Sequence, residues 1–138
     1  MTDKTLADVA EAMRRIDIAI LSTVTAGGAI AGRPMSNNRD VDFDGDSYYF
    51  TNDDAQMVAD IEANPNVGLG LQGRPDLYIA VSGKADLVRD KAAFAAHWTA
   101  ELDKWFEDGV DTPGIVMIHV KAARVEYWQG RDGGEVSL

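Results

Sequence analysis

The densest run of potential ligands in the chain is Asp40-Val-Asp-Phe-Asp-Gly-Asp46, with carboxylates at alternate positions and glycine in sixth place. EF-hands use that spacing to wrap calcium, closing the ring of oxygens with a bidentate glutamate at the twelfth position. Thr51 stands there instead. The following Ser47-Tyr-Tyr-Phe50 is strand-like, so the acids read as a solvated hairpin turn. Gly68-Leu-Gly-Leu-Gln-Gly73 spells the dinucleotide fingerprint, but that motif cradles a pyrophosphate only where a strand turns into a helix. Here the glycines lie within a strand pattern, and Arg74-Pro75 leads into another strand. His97 and His119 lack partners at metal-ligand spacing, so no metal site is expected. Ser22, Ser36, Ser47 and Ser82 have no nucleophile elbow around them. The chain has no cysteine, hence no thiolate nucleophile and no disulfide framework. Catalytic residues are not assigned, and an enzyme built from this inventory needs a cofactor for its hard step. One cation keeps its interest. Arg33, in Gly32-Arg-Pro-Met35, carries a planar fork suited to phosphate.

Composition narrows the partners. A chain of 138 residues, 46% apolar and 26% charged, is expected to form one domain, 1–138, with a real core. The net charge of −10 repels nucleic acid, which is gripped through lysine and arginine contacts to phosphate. A small anionic ligand remains compatible, because one arginine overrides the global field at short range. No run approaches the roughly 20 apolar residues of a membrane span. The N-terminal stretch lacks a signal-peptide pattern, so a cytoplasmic location is expected.

The elements that position Arg33 follow from periodicity. Leu6, Val9, Ala10 and Met13 fall on one helical face within an N-terminal helix in 1–15. Residues 18–24 are rich in β-branched types, and Ala26-Gly-Gly28 turns them into a second strand at about 29–37. Pro34 lacks the N–H of a central ladder, which puts that strand at an edge or a bulge. Asp44-Gly45 signals another hairpin, joining Val41 and Phe43 to Tyr48-Tyr-Phe50. A helix from 53 or 54 to 63 follows, with acids in its first turn, Met57, Val58 and Ile61 as its stripe, and Asn64-Pro65 as its stop. Strands are expected at 67–71 and 77–88. Asp90 caps a longer helix that carries Phe94, Trp98, Leu102 and Trp105 on one side. Strands at 115–120 and 124–128 close the chain, leaving 129–138 as a mobile tail. The fold class is therefore mainly β with flanking helices (α+β), an antiparallel sheet or small barrel.

Gly32-Arg-Pro-Met35, Tyr49-Phe-Thr-Asn52, a helix stopped by Ala63-Asn-Pro-Asn-Val67, and the late Val125-Glu-Tyr-Trp-Gln-Gly130 occur in that order. The order resembles the FMN-binding split-barrel superfamily, the pyridoxamine 5′-phosphate oxidase-like proteins, in its short general stress protein branch. The resemblance spans about 16–128 and includes Val81-Ser-Gly-Lys-Ala85. It implies an antiparallel split β-barrel, a homodimer, and FMN bound in a cleft between subunits with the late tryptophan approaching the flavin. Carried over residue by residue, it implies Arg33, Pro34, Met35, Ser36, Phe50, Thr51, Asn52, Gln56 and Trp128 as cofactor-binding residues.

Physical chemistry fits these roles. Pro34 frees backbone groups near Met35 and Ser36 to face a ligand, and at Thr51-Asn52 a hydroxyl, an amide and helix N–H groups converge. Two departures follow. Family members commonly place lysine or arginine, often with a serine nearby, in the turn after the Phe-Thr strand. Here it reads Asp53-Asp-Ala-Gln-Met57, with Gln56 and Met57 in the basic slots. A charge-assisted hydrogen bond contributes about 1.5–3 kcal/mol, so weakened FMN binding is expected. The substrate motif Arg-x-His of the pyridoxamine phosphate oxidases is also missing after Trp128, so that reaction is not expected. The resemblance implies a flavin-dependent oxidoreductase, stress-related in role, that takes electrons from NADH, NADPH or another small-molecule donor. The alternatives are a non-catalytic flavin-binding or stress-response protein, and a split barrel holding F420 or haem.

Overall fold

The computed structural model describes residues 4–39 and 43–138. Helix α1, Leu6–Met13, starts from Thr5 through a capping box. Asp8 N–H donates to Thr5 Oγ1 at 3.2 Å, and Thr5 N–H donates to Asp8 Oδ2 at 2.9 Å. Such a cap contributes about 1 kcal/mol, and it holds the Asp8 carboxyl below its ordinary pKa. The helix buries Val9 and Met13.

Seven strands follow: β1 Ile18–Val24, β2 Ile30–Ser36, β3 Asp46–Asn52, β4 Asn66–Gly73, β5 Leu77–Val88, β6 Ile115–Gln129 and β7 Asp132–Val136. Between them lie α2, Gln56–Ala63, and α3, Lys91–His97. The strands form one antiparallel sheet in the order β2-β1-β4-β5-β6-β3, with β7 also on β6. The sheet curls without closing, which is the split-barrel architecture. Strand alternation sends Ala19, Leu21, Leu69, Leu71, Ile79, Val81, Val125 and Tyr127 to one face. There they pack with α1 and α2 as the main core.

Several elements depart from expectation, each for a visible reason. The two closing strands are one, β6, which slips register opposite Ser82/Gly83. A β-carbon on Gly83 would lie 2.0 Å from Lys121 O, so only glycine admits the bulge. Residues 132–136 are not a loose tail but β7, paired with β6 from Val125↔Val136 to Gln129↔Asp132. Strand β3 pairs with β6, not with a strand through Phe43, which is buried in the main core. The calcium-like positions Asp40 and Asp42, with Val41, lie outside the described residues.

Helix α2 begins at Gln56 after Ala55, with no acid in its first turn. Asp53 is held outside it, its N–H donating to Gly114 O at 2.7 Å and its carboxylate meeting Arg89. The long helix through Trp105 breaks after His97. Trp98 is extended, and a 3₁₀ turn follows at Ala100–Lys104. Tyr48 stacks on His97 at 3.6 Å between ring centres, and Asn38 Nδ2 donates to His97 O at 2.9 Å, which ends the helix there. Leu102 still reaches the second apolar cluster with Phe50, Phe94, Phe106, Ile115 and Met117.

Candidate functional site

Strands β2 and β3 are the two ends of the strand order, and the curl of the sheet brings them to face each other across the split. An open groove of about 440 Å³ lies between them, a size within the roughly 300–1,000 Å³ of small-molecule sites. By contrast, the cavity near Arg39, Phe43 and Tyr49 measures about 20 Å³, room for a water at most. Pro34, Met35 and Ser36 line the groove from β2, and Phe50, Thr51 and Asn52 from β3. Both are edge strands, so their outer N–H and C=O groups are free of ladder partners on the groove side.

The remaining wall is aromatic and aliphatic. Phe50 is held edge-on by Trp98 at 5.0 Å and Phe94 at 6.0 Å, and such pairs contribute about 0.5–1.5 kcal/mol each. Leu102 and Phe106 are buried beside it, whereas Trp105 stands 66% exposed on the lip. Helical spacing in the sequence puts Trp105 on the same side as Phe94, Trp98 and Leu102. The break after His97 turns it out over the groove, and no spacing rule signals that break.

Arg33 faces the other way. Its neighbours Pro34 and Ser36 project to the groove side, and alternation sends the guanidinium toward α2. Nη1 donates to Thr23 Oγ1 at 2.9 Å and Leu21 O at 3.3 Å, and Nη2 lies 3.8 Å from Asp60 Oδ2. Asp60 is buried, and it accepts from Thr23 Oγ1 at 2.9 Å and Gln56 Nε2 at 3.2 Å. Arg33 and Gln56 therefore share one buried carboxylate. Asp60 was legible in principle as an acid between the apolar positions Met57, Val58 and Ile61. The groove fits a planar, largely apolar ring. Its phosphate end fits less well, since the expected cation is already neutralised.

Trp128 lies in neither place. Phe50 pairs with Met117 of β6, and Trp128 is eleven residues further along that strand, roughly 36 Å of extended chain before curvature. It emerges on the outer face of the sheet opposite Tyr78 and beside Gly133. Ile18, Ile20, Tyr78 and Trp128 are each 45–47% exposed on that face. The histidines line no part of the groove. His119 bonds Asp46 Oδ1 at 2.9 Å, and both rings flank Tyr48. Burial, then His119, pushes the His97 pKa down.

Comparison with known proteins agrees with this architecture. The family model described as pyridoxamine 5′-phosphate oxidase like matches residues 4–138. General stress protein 26 of Bacillus subtilis (strain 168) is 30% identical over 112 residues, covering 78% of this chain and 79% of that protein. The crystal structure of a Clostridium acetobutylicum protein related to general stress protein 26 superposes with a TM-score of 0.84 at 18% identity, covering 98% of this chain and 95% of the other. A haem-binding protein from Mycobacterium smegmatis shares the fold at a TM-score of 0.74 and 15% identity, covering 98% of this chain and 60% of the other.

Proposed function

This chain belongs to the pyridoxamine 5′-phosphate oxidase-like family, and on that premise we propose that it binds a flavin in the split between β2 and β3 and serves as a flavin-dependent oxidoreductase. One observation carries the reading. The two unpaired strand edges meet over an open groove whose other walls are Phe50, Leu102, Trp105 and Phe106. Apolar walls take the isoalloxazine, and strand-edge amides and carbonyls take the rim of its dioxypyrimidine ring. Ser36, Thr51 and Asn52 supply a polar fringe. A bound flavin supplies hydride and electron transfer, and the protein orients it and limits water around it.

The second subunit is part of the proposal. A chain of net charge −10 repels its own copy except through an uncharged patch. The nearest to such a patch is on the outer face, Ile18, Ile20, Gly70, Ala80, Tyr78 and Trp128, where Glu126 opposite Ala80 is paired with Arg124 at 3.3 Å. Pairing two copies there lets Trp128 of one subunit approach the groove of the other. Ile20→Lys is expected to convert a dimer into a monomer in sedimentation and to abolish flavin uptake.

The test is spectroscopic. Purified protein is expected to be yellow, or to take up FMN with about micromolar affinity. Stopped-flow mixing of the loaded protein with NADH or NADPH is expected to bleach the flavin band. A protein that binds no flavin overturns the reading, and one that binds it without reduction is a carrier. An as-isolated spectrum with a Soret band identifies haem instead.

A further inference from the structure

We infer that the groove holds its flavin by the ring and hardly by the phosphate, so that riboflavin and FMN bind almost alike. This deepens the flavin reading above and rests on it. Charge around the rim carries the inference. Arg33 is matched by the buried Asp60 at 3.8 Å. Arg39 meets Asp17 at 2.8 Å and Glu101 at 3.5 Å, the neighbours in sequence of the groove residues Ile18 and Leu102. Arg89 meets Asp53 at 2.7 Å and Glu62 at 3.1 Å, and Asp53 follows the groove residue Asn52. Each rim arginine thus has at least one carboxylate on it, and Asp54 adds another in the recess beside Asn52. Lys104, next to Trp105, is exposed and has no ion pair among the described residues, one cation against that excess of acid.

Arg33 cannot be redirected cheaply. Swinging it to a ligand phosphate would leave the Asp60 carboxylate, 2% exposed, with only Thr23 and Gln56 as partners. A buried charge stripped of its counter-ion is strongly destabilising. Gln56 is tied to the same carboxylate, and Ala55 brings no side-chain donor to the start of α2. On the outer face Arg124 already meets Glu126 at 3.3 Å and Glu135 at 2.6 Å, while Arg131, in the exposed turn after Trp128, has no ion pair among the described residues. A dianion therefore finds mostly compensated cations, Lys104 excepted, and surplus acid, whereas the ring finds open apolar walls.

The experiment titrates the full-length protein with riboflavin and with FMN, read by flavin fluorescence at low and high salt. The wild type is expected to bind the two within about fivefold of each other, with little salt dependence. Asp54→Lys, in the exposed recess beside Asn52, is expected to tighten FMN about tenfold and leave riboflavin unchanged. A wild type that prefers FMN by more than fivefold overturns the inference while leaving the flavin reading intact. An Asp54→Lys protein indifferent to the phosphate overturns the charge argument. Failure of both flavins to bind removes the flavin reading itself.

Discussion

Arg33 and Pro34 are adjacent in β2 and serve opposite regions of the molecule. Behind Arg33 lies a closed polar corner, where Thr23 and Asp60 are buried and every named group has a partner. In front of Pro34 lies an open groove with apolar walls and a tryptophan 66% exposed at its lip. Satisfied buried polar networks rigidify a fold, whereas exposed aromatic surface beside free strand edges is what a ligand can use. On the proposed reading the corner serves stability and the groove serves binding. Substitutions in each should move one quantity and spare the other.

The largest expected effect is on the corner. Arg33→Met leaves Asp60 without its cation. Breaking a buried pair costs about 3–5 kcal/mol, and the 3.8 Å separation and partial exposure of Arg33 reduce this to about 2 kcal/mol. Thermal unfolding should fall by roughly 4–8 °C, with riboflavin affinity unchanged. A variant that melts normally but loses riboflavin would reverse the two assignments.

Next comes the groove. Trp105→Ala is expected to weaken flavin binding about tenfold through lost ring contact, with no change in melting temperature, because the side chain is mostly in solvent. Equal loss of stability would make Trp105 a packing residue and blur the contrast.

The smallest effect joins the regions through the wall that carries Trp105. His97, at the end of α3, stacks on Tyr48, and burial followed by His119 lowers its pKa. A histidine whose folded pKa lies below its unfolded value of about 6.5 must be charged against the fold in acid. Its stabilising contribution is complete above that value and is lost as pH falls through the depressed one. Melting temperature should therefore drop by roughly 1–2 °C between neutral pH and about pH 5.5. His97→Phe keeps the stack without the proton and should flatten that slope in a calorimetric pH series.

Much of this was legible in the sequence because it is local. β-Branched runs gave β1, the Pro34 argument placed β2 at an edge, and Asn64-Pro65 stopped α2. The order of Arg-Pro-Met, Phe-Thr and the late tryptophan pointed to the family. The direction of Arg33 was not legible, since it depends on a carboxylate in α2 that meets β1 and β2 only after folding. The α3 break was hidden for the same reason, because Asn38 and Tyr48 end that helix from elsewhere in the chain. β7 has little apolar content of its own, and it forms because β6 offers it a ladder.

A crystal structure of the flavin-loaded protein shows which surface the ring occupies. The isoalloxazine is expected between Pro34–Ser36 of β2 and Phe50–Asn52 of β3, with Trp105 against the ring and Arg33 still on Asp60. Flavin bound on another surface, with the split filled by side chains of either subunit, would contradict it.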